Sequence, residues 1–154
     1  MKQRILYCNV LEEELYGKYP WLGKASFSGA IIIVTRKDDI DILSWHDGVW
    51  HDGVWHDGTW HDGEWCNGVW ENGVWHNGKW VDGVWYNGTW HDGEWCNGVW
   101  KNGKWVDGIW HRGEWFNGVW ENGVWWDGTW WDGVWKGGIW KDGEWKNGMR
   151  IEGV

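Results

Sequence analysis

Trp45-His46-Asp47-Gly48-Val49-Trp50-His51-Asp52-Gly53-Val54-Trp55 sets the architecture of about two thirds of the chain. It opens a Trp-x-Asp/Asn-Gly-x pattern in which Trp recurs every five residues as far as Trp145, and Gly every five as far as Gly148. A weaker echo follows in Ile151-Glu152-Gly153. No helix suits this pattern. A period of five does not match 3.6, and a Gly at every fifth position costs a helix about 1 kcal/mol each time. Asp-Gly and Asn-Gly are strong turn signals, because Gly accepts positive φ and Asp or Asn tolerates the left-handed region. Short extended segments between frequent turns make the array all-β.

Two all-β designs fit. In an antiparallel meander of very short strands, a tight turn follows each strand. A strict two-residue hairpin turn is excluded on parity, since both ends of a three-residue strand aim their backbone groups to the same side. The meander survives with three-residue turns and strands of two residues, which are weak. In a pentad-repeat β-solenoid, each pentad forms one side of a coil. Substitutions favour the solenoid. The residues before and after Trp vary freely and accept charge, so they face water. Trp and Gly hardly vary and stand two apart in Gly-x-Trp, so both point inward as a large and small space-filling pair. Asp or Asn sits at the corner, where its side chain satisfies turn backbone groups. Stacked coils would then carry inward Trp ladders.

Internal copies lean the same way. His61 to Trp70 recurs verbatim at His91 to Trp100, and Asn77 to Gly83 recurs at Asn102 to Gly108, an odd number of pentads away. Losing one pentad reverses every later strand of a meander but merely rotates the later sides of a solenoid.

Trp45 to Gly148 resembles the pentapeptide-repeat family, whose pentads build a four-sided β-helix with a small and a large inward residue two apart. The chain has Gly and Trp where that family has an Ala-like residue and Leu or Phe, and its Asp or Asn follows the central residue by two. The number of pentads per coil therefore stays open. Gly143-Glu144-Trp145-Lys146-Asn147-Gly148 is similar to MORN repeats, a second and weaker likeness. More generally the chain looks like uncharacterised Trp-rich pentad proteins of phages and bacteria.

Residues 1–44 read as an N-terminal capping or docking segment, and 45–154 as the array. Arg4 to Tyr7 is a short strand, Val10 to Tyr16 a helical turn or two, and Lys18 to Gly23 a loop set by Pro20. Ala30 to Thr35 is a continuous β-branched strand. A polar turn, Arg36 to Asp39, and the alternating Ile40 to Leu43 complete a β-hairpin that closes the first end of the stack. Arg150 stands where the next Trp would be, and Lys141, Lys146 and Arg150 place positive charge there, as a polar cap or a surface for stacking on a partner.

With 24 Trp and 26 Gly among 154 residues but one Pro and two Phe, the composition is that of a repeat protein. A net charge of −9 argues against nucleic acid and against an anionic membrane surface. Cys8, Cys66 and Cys96 are odd in number and widely spaced, which is no disulfide framework and points to a reducing compartment. Cys8-Asn9 and Glu12-Glu13-Glu14 interrupt any signal-peptide core after Lys2 and Arg4, and the longest apolar run, Ala30 to Val34, is too short to span a bilayer. A cytoplasmic or virion-associated location is the default expectation.

No catalytic, cofactor or metal motif stands out. The pairs His46-Asp47, His51-Asp52, His56-Asp57 and His61-Asp62 suit a metal or acid–base pair by type. In a solenoid they are expected on successive sides, where they do not converge. Cys66 and Cys96 read as structural thiols. Tyr86, Phe116, Trp126 and Trp131 place extra aromatics at the outward position, and this set is the candidate interaction patch. The expected role is a non-enzymatic rigid spacer or protein-interaction surface, through a protein partner or self-association. Two alternatives accompany it. One is a glycan-binding surface or virion component using exposed Trp. The other is an acidic nucleic-acid mimic, which would need carboxylates in continuous stripes.

Overall fold

In the computed structural model, which describes residues 3–151, Ser44 and Trp45 pair in parallel with Thr59 and Trp60, and these with Val74 and Trp75. Val49 and Trp50 pair likewise with Glu64 and Trp65, and Val54 and Trp55 with Val69 and Trp70. The step is fifteen residues, so one coil is three pentads and the array is a three-sided parallel β-solenoid. Parallel pairing rules out the meander. The coil is also not the four-sided one of the pentapeptide-repeat family. The echo at Glu152 and Gly153, and Lys2, lie outside the described residues.

Each side is a ladder of two-residue strands, seven of them on the third side, from Val54–Trp55 to Glu144–Trp145. Such strands persist because neighbouring coils supply two backbone bonds per pentad. The N–H before each Trp donates to a Gly carbonyl one coil back, as Val69 does to Gly53 at 2.9 Å. The N–H after each Trp donates to a Trp carbonyl, as His61 does to Trp45 at 2.7 Å. Period-two alternation turns Trp inward and the residue before it outward.

The core is indole. From Trp45 to Trp130 every fifth residue is fully buried. Each Trp stacks on the one a coil away, as Trp75 does on Trp90 at 4.7 Å with planes 6° apart. It meets the next Trp in its own coil edge to face, as Trp75 meets Trp80 at 5.9 Å and 71°. Both are favoured arrangements of aromatic quadrupoles. Burying one indole contributes about 4–6 kcal/mol at the usual coefficient. Most of these indole N–H groups lack a partner, which costs about 1–3 kcal/mol each, so burial wins. At Trp110 and Trp120 the N–H reaches a corner carbonyl, Asp127 at 3.2 Å and Gly137 at 3.1 Å.

Corners explain the invariant Gly. Gly63 has φ +121°, and a Cβ there would lie 2.5 Å from the Gly48 carbonyl oxygen and 3.3 Å from Trp45 Nε1. Coils could not close to stacking distance around a side chain. The preceding Asp accepts the Gly N–H on its own Oδ1, as Asp62 does from Gly63 at 2.8 Å.

Five elements precede or lead into the array: β1 (Ile5–Cys8), α1 (Glu12–Lys18), α2 (Pro20–Lys24), β2 (Ser26–Lys37) and β3 (Ile40–Asp52). β2 and β3 form the antiparallel hairpin, with Asp38 and Asp39 at φ 52° and 61° in its tight turn. β1 joins β2 in parallel. Residues 18–23, expected as a loop, instead contain most of α2. Pro20 at the first helical position needs no N–H partner, and Leu22 is fully buried. Tyr19, at φ −127°, stays non-helical and separates the two helices. Phe27 stacks on Trp50 (6.1 Å, 11°) and Trp21 meets Trp55 edge-on (5.2 Å), so this segment covers the first indoles. The Arg4 guanidinium lies 4.4 Å over Phe27 and donates to the Ala25 carbonyl at 2.9 Å. At the far end Arg150 takes the ladder position above Trp135 and lies 5.8 Å from its ring and 5.9 Å from that of Trp145. No helix among the described residues is long and apolar enough to cross a membrane.

Candidate interaction surface

With the indoles inside, the variable chemistry lies on the outward positions. A step of fifteen sorts the residue after each Trp into three corner columns. Coils are numbered here from Ser44.

The column between the third and first sides runs His56, Glu71, Tyr86, Lys101, Phe116, Trp131, Lys146. Phe116 and Trp131 stack at 5.9 Å with planes 9° apart. Lys101 lies 4.4 Å over Phe116, and Lys146 lies 5.8 Å from Trp131. Cation–π contacts thus close both ends of the stack. Tyr86 is half exposed, two coils before Phe116, with Lys101 between them. Trp126 belongs to another corner, between the second and third sides, where Lys141 lies 5.6 Å from its ring. Trp126 and Trp131 therefore do not meet as one cluster. They stand at the two corners of a single coil, bounding Thr129, and are 47% and 40% exposed. Phe116 and Trp131 thus each have one face on the other ring and a lysine on the far side.

The strand positions of the third side are uncharged in its first four coils. Its outward strand residues are Val54, Val69, Val84 and Val99 before Glu114 appears. The second side alternates Glu64, Lys79 and Glu94, and with Asp47, Asp62 and Asp92 it lines a groove of about 650 Å³. Asn77 interrupts this run of carboxylates, and Asn122 interrupts the same corner further along.

Cys66 and Cys96 share one corner two coils apart, each near a glutamate: Glu64 at 3.6 Å and Glu94 at 3.9 Å. Burial first, then the neighbouring carboxylate, pushes both thiols up, so they stay protonated and are weak nucleophiles. Glu94 also lies 3.0 Å from His111 Nε2, and Glu71 lies 2.6 Å from His56 Nδ1. Among the described residues no three His, Cys, Asp or Glu side chains are grouped as a metal ion would require.

The expectation that the four His-Asp pairs lie on successive sides is corrected by the three-sided coil. His46, His51 and His56 occupy different corners, but His61 returns to the corner of His46 and stacks on it at 4.4 Å. His76 and His91 continue that column. The recurrence of His at 46, 61, 76 and 91 was the signal in the sequence, and the coil size made it readable. Comparison with protein-family models, curated proteins and solved structures finds no match.

Proposed function

We propose that the protein is a non-enzymatic structural repeat: a rigid spacer whose outward columns form a protein-interaction surface. The observation that carries this reading is the burial of the Trp rows, which makes the interior a scaffold and leaves recognition to the corners. Seven coils at about 4.8 Å each make a short rod of about 30 Å. Continuous backbone ladders and stacked indoles resist bending. The contact region is the third side in its last coils, where Phe116, Trp126 and Trp131 sit among lysines. Exposed aromatic side chains are the residues most enriched at protein interfaces.

Two observations favour this reading over a glycan platform or a nucleic-acid mimic. Phe116 and Trp131 engage each other's faces and those of Lys101 and Lys146, where a sugar would need an open ring face. The acidic corner is broken by Asn77 and Asn122. On the device of one pentad per side, the pentapeptide-repeat family is the kinship this reading adopts, with three sides instead of four and a phage or bacterial setting.

Sedimentation of the native protein and of the W126S/W131S variant over a wide concentration range tests the contact region. Concentration-dependent association that the double variant loses supports it. Native protein that stays monomeric while binding immobilised oligosaccharides through these residues would overturn it in favour of glycan recognition.

A further inference from the structure

The corner between the first and second sides holds histidine in four consecutive coils. His46, His61, His76 and His91 stack with ring centroids 4.4, 5.0 and 5.0 Å apart and planes within 16° of parallel. Rings stacked face to face with near-parallel planes do not converge on a common point, which is poor geometry for one shared metal ion. Neutral imidazoles are well suited to the stack. Imidazolium rings are not, because like charges would then face one another at about 5 Å along the column.

The surroundings do not neutralise that charge fully. The first side contributes Ser44, Thr59, Val74 and Thr89, all uncharged. On β2 the residues in register with Trp45 and Asp47 are Ile32 and Ile31. The carboxylates at the corner, Asp47, Asp62 and Asp92, each accept the N–H of the following Gly. Across the second side, Glu64 lies beside Cys66, Glu94 beside His111, and Lys79 stands between them. Beyond His91 the column continues as Val106 and then Glu121, which lies within 3.6 Å of Lys104 and 3.5 Å of Lys136.

We propose that this histidine column is an acid-sensitive device that loosens the first four coils below neutral pH and leaves the later coils closed. Burial, then the charges of His46 and His76, holds the His61 imidazole below its ordinary value. Burial and His91 do the same to His76. The folded chain therefore binds these protons less readily than the unfolded one. The stability that the neutral rings contribute is complete above the unfolded value of about 6.5 and is lost as pH falls through the lower folded values. Comparing pH 7.5 with pH 5.5 isolates this window from the titration of ordinary carboxylates.

The experiment is amide hydrogen exchange of the full chain at those two pH values, corrected for intrinsic rate, with thermal unfolding of the native protein and of the H61Q/H76Q variant. The expected result is a rise in exchange concentrated in the first four coils, residues 44–103. The native midpoint should drop by several degrees, and the variant's drop should be half of that or less. A uniform rise along the rod, or an equal drop in variant and native, overturns the proposal. If the variant does not fold, the position of the exchange change in the native protein decides alone.

Discussion

The first four coils and the last three share an interior and differ in almost everything outside it. Trp65 stacks on Trp80 at 4.8 Å and Trp115 on Trp130 at 4.8 Å, with planes 5° and 7° apart. Outside, the early coils carry histidine, carboxylates, valine and thiols, and Lys79 is the one Lys or Arg between Trp45 and Trp100. The fourth coil closes on Lys101, and the late coils carry Lys104, Arg112, Lys136, Lys141 and Lys146, with Phe116, Trp126 and Trp131 among them. Stability is thus written on Trp and Gly, which neither half varies. The outward positions are free of that duty, and they are where the halves acquire different chemistry.

Early and late coils should have equivalent interiors. Trp80→Ala and Trp115→Ala should each cost about 3–5 kcal/mol, through lost transfer energy and the cavity left in the ladder. The two costs, measured by denaturant unfolding, should agree closely, and a large inequality would mean that the coils do not share one core. Gly63→Ala comes next. It should cost about 1–3 kcal/mol or more from its positive φ alone, with the close approach to the Gly48 carbonyl added, seen as a lower unfolding midpoint. Asp92→Ala removes the carboxylate that accepts the Gly93 N–H and should cost about 0.5–1.5 kcal/mol by the same measurement. The exterior gives a smaller effect than the core. Replacing Trp126 and Trp131 by Ser should cost about 0.5–1.5 kcal/mol at each site, the loss of a cation–π or stacking contact by a ring that keeps 47% or 40% of its surface in water. The native emission should be blue-shifted and poorly quenched by acrylamide, with a minor accessible component that this variant loses. Emission that is red-shifted and readily quenched throughout would contradict the buried ladders.

Much of the fold is legible in the residues. Invariant Trp and Gly two apart announce an inward pair, and charged residues on both sides of Trp announce outward positions. Ile40 to Leu43 and Ala30 to Thr35 read as a hairpin because their β-branched content and the Arg36–Asp39 turn agree. The helix at Pro20 was hidden, since Pro marks a helix start as readily as a loop and the choice rests on burial of Leu22. Coil size was harder. A five-residue period fixes one side but not how many sides close a coil, which depends on how three edge-to-face indoles fill the cross-section. The outward columns follow from that number. For this reason the aromatics at Trp126 and Trp131 look adjacent along the chain yet stand at different corners. The histidines at 46 and 61 look separate yet stack.

Indoles held at 4.7 to 5.2 Å in three parallel rows, with edge contacts linking the rows, are also chromophores close enough to exchange excitation. Excitation of one ring should therefore pass to its neighbours before it is emitted. Hops within a row join near-parallel rings and keep polarisation, whereas hops across the edge contacts, such as Trp75 to Trp80 at 71°, turn it. The ultraviolet fluorescence should then be depolarised although the rings are locked by packing, and a quencher near one end should dim more rings than the one it touches.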